Sequence, residues 1–553
     1  MNVFLERTGN PWMDWGIVAM HHFLVQQEEY VLQVNLTDSY VHFELPADLD
    51  SEDFISVMEQ YLRAQMARLV LPDLALKALG MSVPKRSDGL PDPRYTCRLS
   101  KEQLTLVREK PRLKKTQPNL KASLSRNYVG LKGDFDTLAA ELENAIRAFW
   151  QQQTEKPSAK AMPCPLCGRA LWPLSFKMLQ NRNPLFNKHQ NLRPRGYFGS
   201  AENPTMCPTC NLLNIFSVCH NYLPYFTDKS TCILVPGTNS LQVLSKVFQA
   251  QKIRLKDMAG ADVYSYTTNI DLLRNQAPYQ ALLAVYTALM NRYAPAEKGY
   301  VQDPALGQEE QRGLSCWYLI RVSKGQHVTV GAVNTVFVST RLFELVRSLD
   351  YGRNSDRRGN ISETFFARVS SGKEQSVECL AQGLVEEDWS VFSRALFGLL
   401  KETRRPRNSV RMAPWSLVFF DHFCDFVLKE VDKVLSSELI DDLKTVGKVI
   451  GYNFPGDIGL FSNLNNIYDA ETFSKALREV LFKLQKKAAT NKKGDKETEI
   501  RVPGEGRIEN ILRNLQEQNI QPMKDVLLIF ASLQALYRLT AKSKAEKEST
   551  EIG

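Results

Sequence analysis

Two Cys-x-x-Cys pairs, Cys164/Cys167 and Cys207/Cys210, constrain this chain more than any other feature. Four thiolates at that spacing can occupy the corners of a tetrahedron, the arrangement Zn²⁺ prefers in a closed structural site. Pro163, Pro165, Pro208 and Gly168 supply the tight turns that such knuckles need. Disulfides or unconnected thiols are the competing reading of four cysteines. Thirty-nine residues separate the knuckles, more than in a compact ribbon, so a metal would staple the base of an inserted loop.

That loop is electrically one-sided. From Lys156 to Ala201 there is no Asp or Glu, against Lys156, Lys160, Arg169, Lys177, Arg182, Lys188, Arg193 and Arg195. Trp172, Phe176, Phe186, Tyr197 and Phe198 are interleaved with the cations, and Asn181, Asn183, Asn187, Gln190 and Asn191 add amides. Cations for phosphates, rings for stacking and amides for base edges form the chemical set of a nucleic-acid contact surface. A solvated basic loop above the staple is the plainer alternative.

At 553 residues the chain exceeds one core and should hold three or four cooperative units. With 43% hydrophobic and 24% charged residues it reads as globular. No apolar run reaches the ~18–20 residues that span a bilayer, and the start MNVFLERTGNPWMDW has no signal-peptide pattern. The expectation is a soluble, cytoplasmic protein with no membrane partner. Scattered Cys97, Cys219, Cys232, Cys316, Cys379 and Cys424 suit free thiols in a reducing compartment.

The fold class expected is α+β: mixed N-terminal and middle regions with a metal-stapled insert, then an all-helical C-terminal bundle. Residues 1–155 form the first segment. Asn10 and Pro11 predict a helix start, and Met13, Ile17, Met20 and Leu24 recur at helical spacing. Alternation over 30–37 and 41–45 predicts a hairpin. A basic stretch at 108–132 contains Lys110, Arg112, Lys114, Lys115 and Arg126 against the single Glu109. Pro111 and Pro118 predict an extended arm there, suited to duplex or guide phosphates, before a helix at 134–150. The cysteine region is taken as 156–235 and a mixed middle region as 236–400, with strands near 233–235, 316–322 and 328–338. Residues 401–411 form a basic hinge with Arg404, Arg405 and Arg407, and apolar repeats at three and four predict a helical bundle over 412–553.

Catalytic motifs are scarce. The enzyme candidate is a zinc-stapled HNH-like DNA nuclease, using Cys164 to Gly168, His189, Asn203 and Cys207 to Asn211 in that order. Such an enzyme needs a general base and further groups for a catalytic metal. Lys188 precedes His189, and between the knuckles Glu202 is the one carboxylate, so a second cation would sit in a cationic loop. The residues favour a non-enzymatic reading. His220 beside Cys219 is expected in the core rather than as a fifth ligand.

The opening Thr8-Gly9-Asn10-Pro11-Trp12-x-Asp14-x-Gly16 resembles the TGNPF-D-G start of the large subunit of type I-B CRISPR Cascade complexes. That family also has a CxxCG knuckle, a Phe/Asn-rich insert and a CPxCxL segment, here Cys207-Pro208-Thr209-Cys210-Asn211-Leu212. The likeness covers about the first 230 residues, and the rest only by order and size. Trp12 stands for the usual Phe, and Asn211 for a commonly apolar residue.

The resemblance implies a non-catalytic subunit of an RNA-guided, DNA-targeting ribonucleoprotein complex serving antiviral defence or RNA-guided transposon targeting. It would contact the protospacer-adjacent motif duplex and stabilise the R-loop, while guide pairing reads sequence. Structural zinc would sit on Cys164, Cys167, Cys207 and Cys210. DNA near the motif would meet Asn181, Arg182, Asn183, Lys188, His189, Gln190, Asn191, Arg193 and Arg195. Nucleic-acid backbone would meet Lys110, Arg112, Lys114, Lys115 and Arg126, with Arg404, Arg405 and Arg407 on the displaced strand. The implied partners are guide RNA, target double-stranded DNA and its displaced strand, the backbone, guide-end-capping and small subunits, and a helicase-nuclease or transposition protein. The bundle at 412–553 has the size and position of a region similar to the small subunit.

Overall fold

Asn10 begins the central helix as its sequence requires. The computed structural model describes residues 1–110, 113–124, 135–159, 161–179, 182–186, 205–220, 225–227, 231–257, 279, 282, 314–324, 328–337, 374–402, 420–421, 424–425, 427–432, 434–491 and 500–551. Helix α1 spans Pro11–Leu24, and the Asn10 side chain accepts from the N–H groups of Trp12 (3.1 Å) and Met13 (3.2 Å). Gly9 precedes it at φ 74°, a left-handed position suited to glycine. The helix is apolar nearly all round and is buried nearly all round, so it is a core element rather than a surface one.

The expected hairpin forms from β2 (Gln33–Leu36) and β3 (Tyr40–Glu44). An unforeseen strand, β1 (Asn2–Glu6), pairs antiparallel with the other edge of β3, giving the order β1-β3-β2. Val3, Leu5, Val41 and Phe43 point into the core, while the alternate positions face outward. Helix α2 (Ser51–Ala67) and a short α3 (Leu74–Ala78) follow, each started by an aspartate cap.

In its described residues the basic stretch forms small elements rather than a free arm. Its start closes α4 (Lys101–Arg108), where Arg108 donates to Thr116 O. Further on, β4 (Val70–Leu71) pairs with β7 (Ser123–Leu124), and β5 (Thr96–Arg98) with β6 (Asn119–Lys121). Leu76, Leu99, Val107 and Leu120 form a small satellite core beneath it.

Helix α5 (Phe135–Thr154) packs on α2 and on α6 (Pro208–Cys219), and α6 lies along α1. Between α5 and α6 run β8 (Phe176–Lys177) and β9 (Thr205–Met206), an antiparallel pair. A four-stranded antiparallel sheet then has the order β10 (Tyr225–Thr227), β11 (Thr231–Thr238), β12 (Leu314–Lys324), β13 (Val328–Phe337). Helix α7 (Leu241–Asp257) packs on α1 and β11.

The chain divides into two compact units: Met1–Arg274 with Glu297–Phe337, and Asn275–Ala296 with Val338–Gly553. This differs from the five segments read from composition. Cysteines 164, 207 and 210 belong to the main core of the first unit, and β11 pairs with β12 across a long chain separation, so 156–235 does not stand apart.

The second unit is helical in its described residues. It contains α8 (Glu374–Val385), α9 (Trp389–Glu402), a π-helical turn at Val427–Asp432, α10 (Ser437–Asn453), α11 (Ile458–Asn465), α12 (Ala470–Asn491), α13 (Glu505–Arg513) and α14 (Ile520–Glu551). Helix α14 packs against α9, α10 and α11, so the bundle reaches back across the expected boundary at the basic hinge. The molecule is thus an α+β protein with a helical C-terminal region and a four-cysteine cluster in its first unit.

Candidate metal centre and basic surface

The first knuckle is a tight turn closed by a bridge between Pro163 and Ala170. Cys164 N donates to Arg169 O (2.6 Å) and Gly168 N to Cys164 O (2.8 Å). Gly168 sits at φ 74°, which only glycine adopts without strain. The second knuckle is the start of α6. Cys207 is its N-cap, Pro208 occupies the first turn, and the Cys207 sulfur accepts from Cys210 N (3.5 Å). A second N–H···S contact, Cys207 N to Cys164 Sγ at 3.4 Å, ties one knuckle to the other.

All four sulfurs lie within 4.8 Å of one another, with Cys164 to Cys210 at 3.9 Å and Cys167 to Cys207 at 3.5 Å. A tetrahedron with metal–sulfur bonds of ~2.3 Å has edges of about 3.8 Å, so the cluster can hold a metal ion and its donors suit zinc. Among the described residues it is the one such cluster. Electrostatics makes the same demand. Thiol hydrogen bonds from Cys167, Cys207 and Cys210 favour a first thiolate at Cys164, and that neighbouring thiolate pushes the thiols of Cys207 and Cys210 well up. Four thiolates can coexist in this space only around a cation. The positive end of α6 assists at Cys207 and Cys210.

Two residues outside the expected ligand set hold the knuckles in place. Gln152, near the end of α5, donates to Ala170 O (2.7 Å) and accepts from Thr209 N (3.0 Å) and Thr209 Oγ1 (2.7 Å), so it spans both knuckles. Arg169 donates to Thr209 Oγ1 (3.3 Å) and to Phe4 O on β1. Nothing in a Gln-Gln-Gln run or in one arginine among eight cations distinguishes them in the sequence. His220 stays in the core, as expected. Its Nδ1 lies 2.8 Å from Phe216 O and its Nε2 2.6 Å from the Tyr61 hydroxyl, with its ring stacked on Phe216.

The β8–β9 pair brings Phe176–Lys177, within the acid-free stretch, beside Thr205–Met206, which leads directly into the second knuckle. Two residues expected on the DNA-facing surface lie inside instead. Arg182 is 3% exposed and pairs with Glu141 of α5 at 2.6 Å; Asn183 is fully buried and accepts from Leu185 N at 2.9 Å. The reason is local: Asn183 closes a tight turn on Leu179 O, and that turn docks its polar groups against α5. Phe186 is buried with them, and Trp172 and Phe176 are half-buried. Asn181, Lys188, His189, Gln190, Asn191, Arg193 and Arg195 lie outside the described residues, as do Asn203, Tyr197 and Phe198.

Of the backbone-contact candidates, Lys110, Lys114 and Lys115 are exposed on the first unit, Lys110 reaching Ala78 O at 3.3 Å. Arg112, Arg126, Arg404, Arg405 and Arg407 lie outside the described residues. No helix among the described residues is long and apolar enough to cross a membrane. Comparison with family models, curated proteins and solved structures finds no match for this chain.

Proposed function

We propose that this protein is a non-catalytic, zinc-stapled large subunit of an RNA-guided DNA-targeting complex working in the cytoplasm. The observation that carries the reading is the cysteine cluster. It sits in the main core of the first unit, and the loop it anchors contains cations, rings and amides without a carboxylate up to Ala201. A staple so placed fixes both ends of a polyanion-binding loop, and zinc is the ion that four thiolates of this geometry favour. Zinc on Cys164, Cys167, Cys207 and Cys210 would supply rigidity, and Gln152 and Arg169 would orient the knuckles that hold it.

The opening motif supports the resemblance because each of its residues meets a structural demand. Thr8 N and Oγ1 both donate to Asp14 Oδ1 (2.8 and 2.9 Å), Asn10 caps α1, and Gly16 makes room for α6. On this reading the cationic loop contacts the motif duplex. The exposed Lys110, Lys114 and Lys115 take phosphates, and residues 412–553 correspond by size and place in the sequence to a small-subunit-like bundle.

Expression together with the native neighbouring genes, followed by purification through this chain and sequencing of bound RNA, tests the proposal. The expected outcome is a guide RNA of defined length with several copies of a backbone protein, and DNA affinity that falls steeply with salt. A chain that arrives without RNA and cuts DNA in a metal-dependent way, with cutting lost in His189→Ala, would replace this reading with the HNH-like nuclease.

A further inference from the structure

The outward face of the β1-β3-β2 sheet carries an aromatic cluster that the core does not use. Phe4 of β1 is 47% exposed and Tyr40 of β3 is 37% exposed. Phe4 stacks on His42 of β3 with centroids 4.3 Å apart and planes at 21°, and meets Tyr40 edge-on at 5.8 Å. Phe4 and His42 are direct cross-strand partners, so the backbone fixes their stacking. Around the rings the same face presents amides. Asn2 Oδ1 lies 3.1 Å from His42 Nε2, and Asn35 of β2 sits opposite His42 on the other side.

We propose that this face is a stacking platform for the bases of a single-stranded nucleic acid. A protein-docking face would place aliphatic side chains among the rings; here every other outward position of the three strands is polar. Rings with amides beside them suit bases, whose faces stack and whose edges pair with Asn. Glu6 and Glu44 lie on the same face at its two ends, where they repel phosphate but accept from exocyclic amines. Binding here is therefore carried by stacking and depends little on salt. The platform adjoins the cysteine knuckle through Arg169, which donates to Phe4 O. A strand whose phosphates engage the acid-free loop can thus lay its bases beside it, and in this respect the inference rests on the proposed nucleic-acid reading.

The test uses the full chain, a fluorescently labelled oligothymidylate and an abasic strand of equal length, with anisotropy read at low and moderate salt. Phe4→Ala and Tyr40→Ala should weaken oligothymidylate binding by about 5- to 100-fold and leave abasic binding unchanged. Phe4→Trp should restore it, and unchanged thermal unfolding in each variant shows that the sheet is intact. Equal wild-type affinity for the two strands, or an oligothymidylate affinity unmoved by Phe4→Ala, overturns the platform while leaving the loop reading in place. Failure of the wild type to bind either strand overturns both. Capture of a protein on this face that Phe4→Ala releases, with oligothymidylate unaffected, assigns it to a protein partner instead.

Discussion

In the first unit, α1 and α6 approach so closely that a Cβ at Gly16 would strike Leu213 O and lie 2.6 Å from Ser217 Oγ. In the second, α10 and α14 do the same: a Cβ at Gly447 would lie 2.7 Å from Leu527 O, and one at Gly451 would strike Ala531 O. The backbones meet in both cases, yet the surroundings differ. The first contact is stitched by buried polar bonds, Ser217 Oγ to Trp12 O (2.6 Å), Trp12 Nε1 to Asn214 Oδ1 (3.1 Å) and Trp15 Nε1 to His220 O (3.1 Å). It also lies on the helix whose first turn carries two of the four cysteines. Around the second contact α14 presents an almost unbroken apolar surface from Met523 to Leu536. One helix pair is held by directional hydrogen bonds beside the cysteine cluster, the other mainly by apolar packing, with Lys444 over the Phe530 ring and Arg538 over the Tyr452 ring. The first should therefore fail abruptly when its staple goes, and the second should not notice.

Removing the proposed zinc gives the largest expected separation. Chelation, or Cys210→Ser, should destabilise the first unit by about 4–5 kcal/mol or more while the second keeps its helical signal. Limited proteolysis with mass spectrometry reads this as cleavage confined to the first unit. Parallel loss of both units would break the comparison. Next come the two close approaches. Gly16→Ala and Gly451→Ala should each cost about 2–3 kcal/mol, each shifting the urea transition of its own unit, because the atoms struck are backbone carbonyls that cannot turn away.

The buried pair of Arg182 with Glu141 comes third. Arg182→Ala should cost about 2 kcal/mol in the first unit and leave the salt dependence of DNA binding unchanged, since a guanidinium 3% exposed meets no phosphate. A reduced salt slope would return Arg182 to the binding surface. The smallest effect is a pH test on the second unit. Asp525 is buried beside Ser393 and Gln521, and burial raises its carboxyl above the ordinary value despite their hydrogen bonds. A raised carboxyl holds its proton more tightly when folded, so stability is greatest at acid pH and falls as pH climbs from about 3.9 through the folded value. Asp525→Asn should therefore be more stable than the wild type at pH 7, and the gain should vanish below about pH 4.

What the sequence revealed depends on the range of the interaction. The α1 start, the 33–44 hairpin, α5 and the cysteine pairing are set by neighbours a few residues apart, so caps, alternation and spacing expose them. Strand β1 escaped because five residues with two inward side chains carry little pattern until β3 pairs with them. Arg182 looked like one more cation of an acid-free loop, because its partner Glu141 lies on a helix that precedes the loop. Gln152 and Arg169 gain their roles from contacts across α5, α6 and β1 that local composition does not encode. The unit boundary followed the β11–β12 pairing, which spans the chain between 238 and 314, rather than the basic hinge.

X-ray absorption at the zinc edge, on freshly purified full-length protein, bears most directly on the staple. The spectrum expected is a single shell of four sulfur neighbours at ~2.3 Å, with one zinc per chain that disappears in Cys207→Ser. A metal-free chain, or a shell containing oxygen or nitrogen, would mean that these four cysteines do not clamp the loop.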